Sequence, residues 1–127
     1  MNIRGTHFFL LFLVTPFFAN AYEPTTTHAG LTQEIIAFYE AKNGDVFTSE
    51  EEELIIQGAM EEDVPDERVL NHFYDPVNNR GLNNFRSAKV WAVSGANEYN
   101  WQSAVAHGAE SERKTALLAL GHPLHLM

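Results

Sequence analysis

The chain has 127 residues, no cysteine, eight Lys and Arg against seventeen Asp and Glu, and a formal net charge of −9. That balance excludes the Lys/Arg-rich face that non-specific binding to nucleic acid or anionic lipid needs, since Arg80, Arg86 and Lys89 form only a thin basic cluster. The absence of cysteine excludes disulfides, so a domain of this size is held by its apolar core, by bound metal, or by residues outside this sequence.

Residues 1–21 read as a secretory signal. Arg4 supplies a short positive start, Phe8 to Phe18 is apolar apart from Thr15 and Pro16, and Ala19-Asn20-Ala21 is an A-x-A cleavage site. The apolar run is too short to span a bilayer comfortably, and an N-terminal anchor is the alternative. The expected mature chain therefore starts at Tyr22 and is secreted or periplasmic, with residues 22–127 as one domain and no transmembrane segment downstream. Losing Arg4 makes the net charge one unit more negative.

From Tyr22 to Thr27 the chain reads as an extended lead-in. A helix is expected from His28 to about Lys42, with Leu31, Ile35, Phe38 and Tyr39 at helical spacing, Ile36 to one side, and His28 on the inward stripe. Asn43-Gly44-Asp45 ends it. Ser49 with Glu52 makes an S-x-x-E capping box for the next helix, and the acidic run Glu50 to Glu53 suits the positive end of its dipole. Leu54, Ile55, Gly58 and Ala59 form its buried face, which puts Glu62 and Asp63 at the helix end near the core. Val64-Pro65-Asp66 breaks it.

Residues 71–82 read as a loop built on the turn formers Asp75-Pro76, Asn78-Asn79 and Gly81. A helix is expected from about Asn84 to Val93, with Phe85, Ala88 and Trp91 inward, and a short one from Trp101 to His107. The last helix starts near Ser111 and carries Leu117, Leu118, Leu120 and Leu124. His125, seven residues after Leu118, shares its inner face. Pro123 removes one backbone hydrogen bond and crowds the Ala119 carbonyl, so a kink is expected one turn before the end. No strand alternation is convincing, and the fold class is all-α.

Four residues near the ends or inner faces of these helices, His28, Asp63, His72 and His125, are of the types that bind zinc. Each also has an ordinary reading: a helix-start His, a helix-end acid, a loop His and a core His. Asp75, next to Pro76, is expected to cap backbone N–H groups in its turn rather than ligate. His122, one turn before His125, is expected to pack or to support a ligand. His107, Trp91, Tyr99 and Trp101 are assigned to core or cleft lining.

The segments Gly58-Ala59-Met60-Glu61-Glu62-Asp63, His72-Phe73-Tyr74-Asp75-Pro76 and Leu124-His125-Leu126, taken in this order, resemble the zinc-dependent phospholipases C of bacteria and their relatives, the fungal and plant single-strand nucleases. The resemblance runs from His28 to Met127, and the H-F-Y-D-P wording is closer to the phospholipases. It implies a multi-helix bundle of the zinc-dependent phospholipase C type holding up to three zinc ions. By the same resemblance Asp63, His72 and His125 hold one zinc, and His28 shares another with the main chain of the mature N-terminal residue. That residue is Tyr22 here, where the family has tryptophan. Asp63 is also the implied general base.

The family continues H-x-x-x-D on the core helix, and that bridging Asp would fall at position 129, past Met127. The further His and the H-x-x-x-E pair of the third site lie beyond it as well. At most two partial sites are therefore expected here, in a bundle incomplete at its C-terminus. A fragment of a longer protein is expected, with a natural truncation as the alternative, and little or no turnover from residues 1–127 alone. The resemblance implies an exported zinc-dependent hydrolase acting on a phospholipid or another phosphodiester. The alternatives are a single-strand nuclease of the same fold and a non-catalytic helical protein that binds metal structurally.

Overall fold

The second helix begins where a threonine and a glutamate cap each other. Thr48 Oγ1 accepts from the Glu51 backbone N–H at 3.3 Å, and Glu51 Oε2 accepts from the Thr48 N–H at 2.9 Å. The capping box thus lies one residue earlier than the expected Ser49 and Glu52. Both pairs have the right spacing, but Glu51 is the acid that Arg113 also engages from a distant helix. This geometry comes from a computed structural model that describes residues 24–127. The expected signal segment and Tyr22 lie outside the described residues.

All named elements among the described residues are helical. They are α1 (Pro24–Asn43), α2 (Ser49–Glu61), α3 (Ala88–Trp91), α4 (Trp101–Ala109) and α5 (Arg113–His125), with 3₁₀ turns at Asp66–Asn71 and Leu82–Asn84. The stretch expected to be an extended lead-in is helical from Pro24, a residue whose fixed φ suits the first turn. The helix expected from Asn84 is shorter than its pattern. Asn83 and Asn84 have φ of 50° and 65°, a left-handed backbone that an α-helix excludes, so the helix waits for its cap at Ser87. Phe85, expected inside, is half-exposed.

The apolar core is centred on Ile36, Ile55 and Leu117, with Phe47, Leu54 and Leu124 packed against it. On α1 the expected inward stripe is displaced. Thr32 and Ile36 are buried, whereas Leu31, Ile35, Phe38 and Tyr39 are exposed, Phe38 by 77 %. The spacing of four from His28 through Thr32 to Ile36 is the face that meets α2 and α5.

The closest helix pair is α2 with α5, and glycine makes it close. A Cβ on Gly58 would lie 2.0 Å from Leu118 O, and one on Gly121 would lie 2.1 Å from Ile55 O. The two backbones touch where no side chain fits. The helices run in the same sense, because Glu50 and Glu51 at the start of α2 pair with Lys114 and Arg113 at the start of α5. Their far ends therefore also meet, beyond the glycines, at Glu62 and Asp63 on one side and His122 and His125 on the other. Pro123 is buried within α5, and the helix continues through it to His125.

Candidate metal centre

Asp63 follows the last turn of α2, and His72 follows the 3₁₀ turn Asp66–Asn71 that folds back over that end. His125 closes α5, and His28 lies near the start of α1. The four residues, drawn from four elements, meet. Asp63 Oδ1 is 3.1 Å from His72 Nδ1 and 3.5 Å from His125 Nε2, and the two ring nitrogens are 3.3 Å apart. On the other carboxylate oxygen, His28 Nε2 is 3.6 Å from Asp63 Oδ2, and the His28 ring stacks on His125 with centroids 3.8 Å apart. His28, Asp63 and His125 can hold a metal ion between their ligand atoms.

The side chains are oriented from behind. His125 Nδ1–H donates to the Ala59 carbonyl at 2.6 Å, which leaves its Nε2 lone pair toward Asp63 and His72. Burial pushes the His125 imidazole below its usual pKa; the Ala59 hydrogen bond opposes this, and the nearby His28 adds to it. The neutral ring that results is the form that ligates a metal.

Behind the four lies a buried polar layer centred on Glu62, which is 0 % exposed. Its Oε1 accepts from Trp91 Nε1 at 2.8 Å, and its Oε2 accepts from His122 Nδ1 at 2.7 Å and from Arg68 Nη2. Arg68 also donates to Asn97 Oδ1 at 2.9 Å and lies 5.5 Å from the centre of the Trp91 ring, and Tyr99 stacks on His122. Burial would raise the Glu62 carboxyl. The hydrogen bond from His122, the His72 ring 3.6 Å away and Arg68 outweigh it and hold the group well below the usual carboxylate range. His122 thus supports this layer. Trp91 and Tyr99 line it, while Trp101 is exposed on α4.

The roles of Glu62 and Arg68 were missed by the sequence reading. Glu62 had a signal, being four residues after the buried Gly58 and so on the same face of α2. Arg68 had none. Asp75 caps its own turn as expected, with Oδ1 accepting from the Val77 N–H at 2.9 Å and Oδ2 from Asn78 Nδ2 at 2.7 Å. His107, expected to line core or cleft, instead sits with Glu110 and Glu112 in a second group able to hold a metal, at the exposed end of α4.

Clefts open on both sides of the centre. One of about 570 Å³ is lined by His28, Leu31, Ile35, Phe38, Leu124 and Met127. Another of about 720 Å³ is lined by His28, Asp63, Asp66, Val69, His72 and His125, among others. Among the described residues no helix is long and apolar enough to cross a membrane. Comparisons with known protein families, with curated proteins and with solved structures find no match for this chain.

Proposed function

We propose that this chain carries the metal-binding part of an exported, zinc-dependent phosphodiester hydrolase of the phospholipase C type. The observation that supports it is the donor triangle of Asp63 Oδ1, His72 Nδ1 and His125 Nε2, with edges of 3.1, 3.3 and 3.5 Å. Tetrahedral zinc with donors at about 2.0–2.1 Å separates them by about 3.3–3.4 Å, so the triangle fits one zinc and leaves a fourth position open. His28, facing the other Asp63 oxygen, belongs in this reading to a neighbouring ion shared with the Tyr22 main chain.

When bound, zinc supplies Lewis acidity and neutralises charge on phosphate oxygens. The chain's own residues do the rest. Asp63 turns Oδ1 to the triangle and Oδ2 toward His28, and as a carboxylate lining the cleft it is the group that takes a proton from attacking water. His72 and His125 hold neutral nitrogens toward the same point. The apolar wall of Leu31, Ile35, Phe38 and Leu124 beside the centre suits a phosphodiester with an apolar tail. With a net charge of −9, that favours a phospholipid over a nucleic acid.

The test joins metal uptake to turnover in the full-length protein. The expected result is zinc uptake and zinc-dependent hydrolysis of a chromogenic phosphodiester, both lost in His72→Ala. Hydrolysis that survives chelation, or that His72→Ala leaves unchanged, overturns the proposal. Single-stranded DNA cleaved in preference to a phosphatidylcholine analogue would move it to the nucleases. One tightly held zinc with no hydrolysis would make it a structural metal site.

A further inference from the structure

His72 stands between two consecutive residues of one helix end. Its Nδ1 lies 3.1 Å from Asp63 Oδ1, and its Nε2 lies 3.6 Å from Glu62 Oε1. Asp63 borders the cleft, whereas Glu62 is completely buried. The Nε2 atom is itself buried and has no hydrogen-bond partner. A carboxylate oxygen has two lone pairs, so Oε1 keeps an acceptor site after taking the Trp91 N–H. A shift of about 0.7 Å brings Nε2 into hydrogen-bonding distance of it.

We infer that Glu62 is a positioning residue: it takes the Nε2–H of His72, fixes that tautomer, and turns the Nδ1 lone pair toward Asp63 and His125. This rests on the metal reading above. It also assigns the two rings opposite nitrogens. His125, held through Nδ1 by the Ala59 carbonyl, ligates through Nε2; His72, held through Nε2 by Glu62, ligates through Nδ1. Carboxylate backing of this kind raises the basicity of a ligating histidine and fixes its ring. Adjacent acids then have separate tasks, Asp63 on the metal side of the ring and Glu62 behind it.

The test uses the whole chain with zinc as the only added ligand. In the ¹⁵N spectrum of the zinc-loaded wild type, His72 shows a metal-bound Nδ1 and a protonated Nε2. Ligation through Nε2 overturns the inference, and this measurement needs no variant. The isosteric Glu62→Gln variant, checked for native circular dichroism, binds zinc 10–100-fold more weakly. Ala104→Gly, at a buried position of α4 away from the Glu62 layer, serves as the control, because it lowers stability without touching Glu62 and leaves zinc affinity unchanged. Equal losses of affinity in both variants, or no loss in Glu62→Gln, reduce Glu62 to a packing role and overturn the inference. A wild type that takes up no zinc overturns the metal reading, and this inference with it. A wild type that binds zinc while Glu62→Gln matches it overturns this inference alone.

Discussion

Gly58 on α2 and Gly121 on α5 face each other so closely that a methyl group on either would strike the opposite backbone, 2.0 Å from Leu118 O or 2.1 Å from Ile55 O. Four residues beyond each glycine stand Glu62 and His125. The spacing of the helices at the glycines therefore sets the distances at the candidate metal centre. Gly58→Ala and Gly121→Ala must push the helices apart, at a cost of about 1–3 kcal/mol in urea unfolding. Zinc affinity should fall further in these variants than in an equally destabilised variant of α4, as zinc titration would reveal.

Two ion pairs of the bundle should behave very differently. Arg68 reaches the buried Glu62, and Lys114 reaches the exposed Glu50. Arg68→Ala leaves a carboxylate without its charge partner in the interior and should destabilise by about 3–5 kcal/mol. Lys114→Ala should leave the urea midpoint nearly where it was. Similar midpoints for the two variants would contradict the burial of Glu62.

Acid should weaken the start of α2 in a defined window. Arg113 and the Thr48 backbone hold the Glu51 carboxyl at about 2, against an ordinary value of 4.5. Its folded-state value is depressed, so its contribution is fully present above about 4.5 and is lost as the pH falls toward 2. Thermal melts across that range should show a steeper acid loss in the wild type than in Glu51→Gln, which has no proton to gain.

Metal should act on stability as well as on chemistry. Zinc held at 100 times its dissociation constant raises the unfolding free energy by about 2.7 kcal/mol. The gain should vanish with a chelator and in Asp63→Asn. It should also shrink on acidification, because protons compete with the metal for the ligating groups. Melting temperatures with and without zinc at two pH values would measure each effect.

The candidate metal site was more legible in the sequence than the packing around it. His28, Asp63, His72 and His125 each had an ordinary reading and stood out only as an ordered set resembling a known pattern, and the fold brings them together. The inward face of α1 was misread because Leu31, Ile35 and Phe38 have core-like spacing. Which stripe is buried depends on where α2 and α5 lie, and that placed Thr32 and Ile36 inside instead. The cap of α2 could not be resolved locally, since Thr48 and Ser49 each have a glutamate three residues on. The short α3 follows from left-handed backbone at Asn83 and Asn84, which periodicity does not reveal. Arg68 was invisible for a different reason, since its partners Glu62 and Asn97 are distant in sequence or lie in irregular structure.

The donor triangle also has a topological consequence. His72 and His125 are 53 residues apart in sequence, yet their nitrogens approach to 3.3 Å. An ion ligated by both would act as a cross-link that closes this long loop. Because the site is assembled only by folding, this cross-link would stabilise through metal binding to the folded state and would be undone by a chelator. In a chain without cysteine, a coordination bond would do the work that a disulfide does elsewhere.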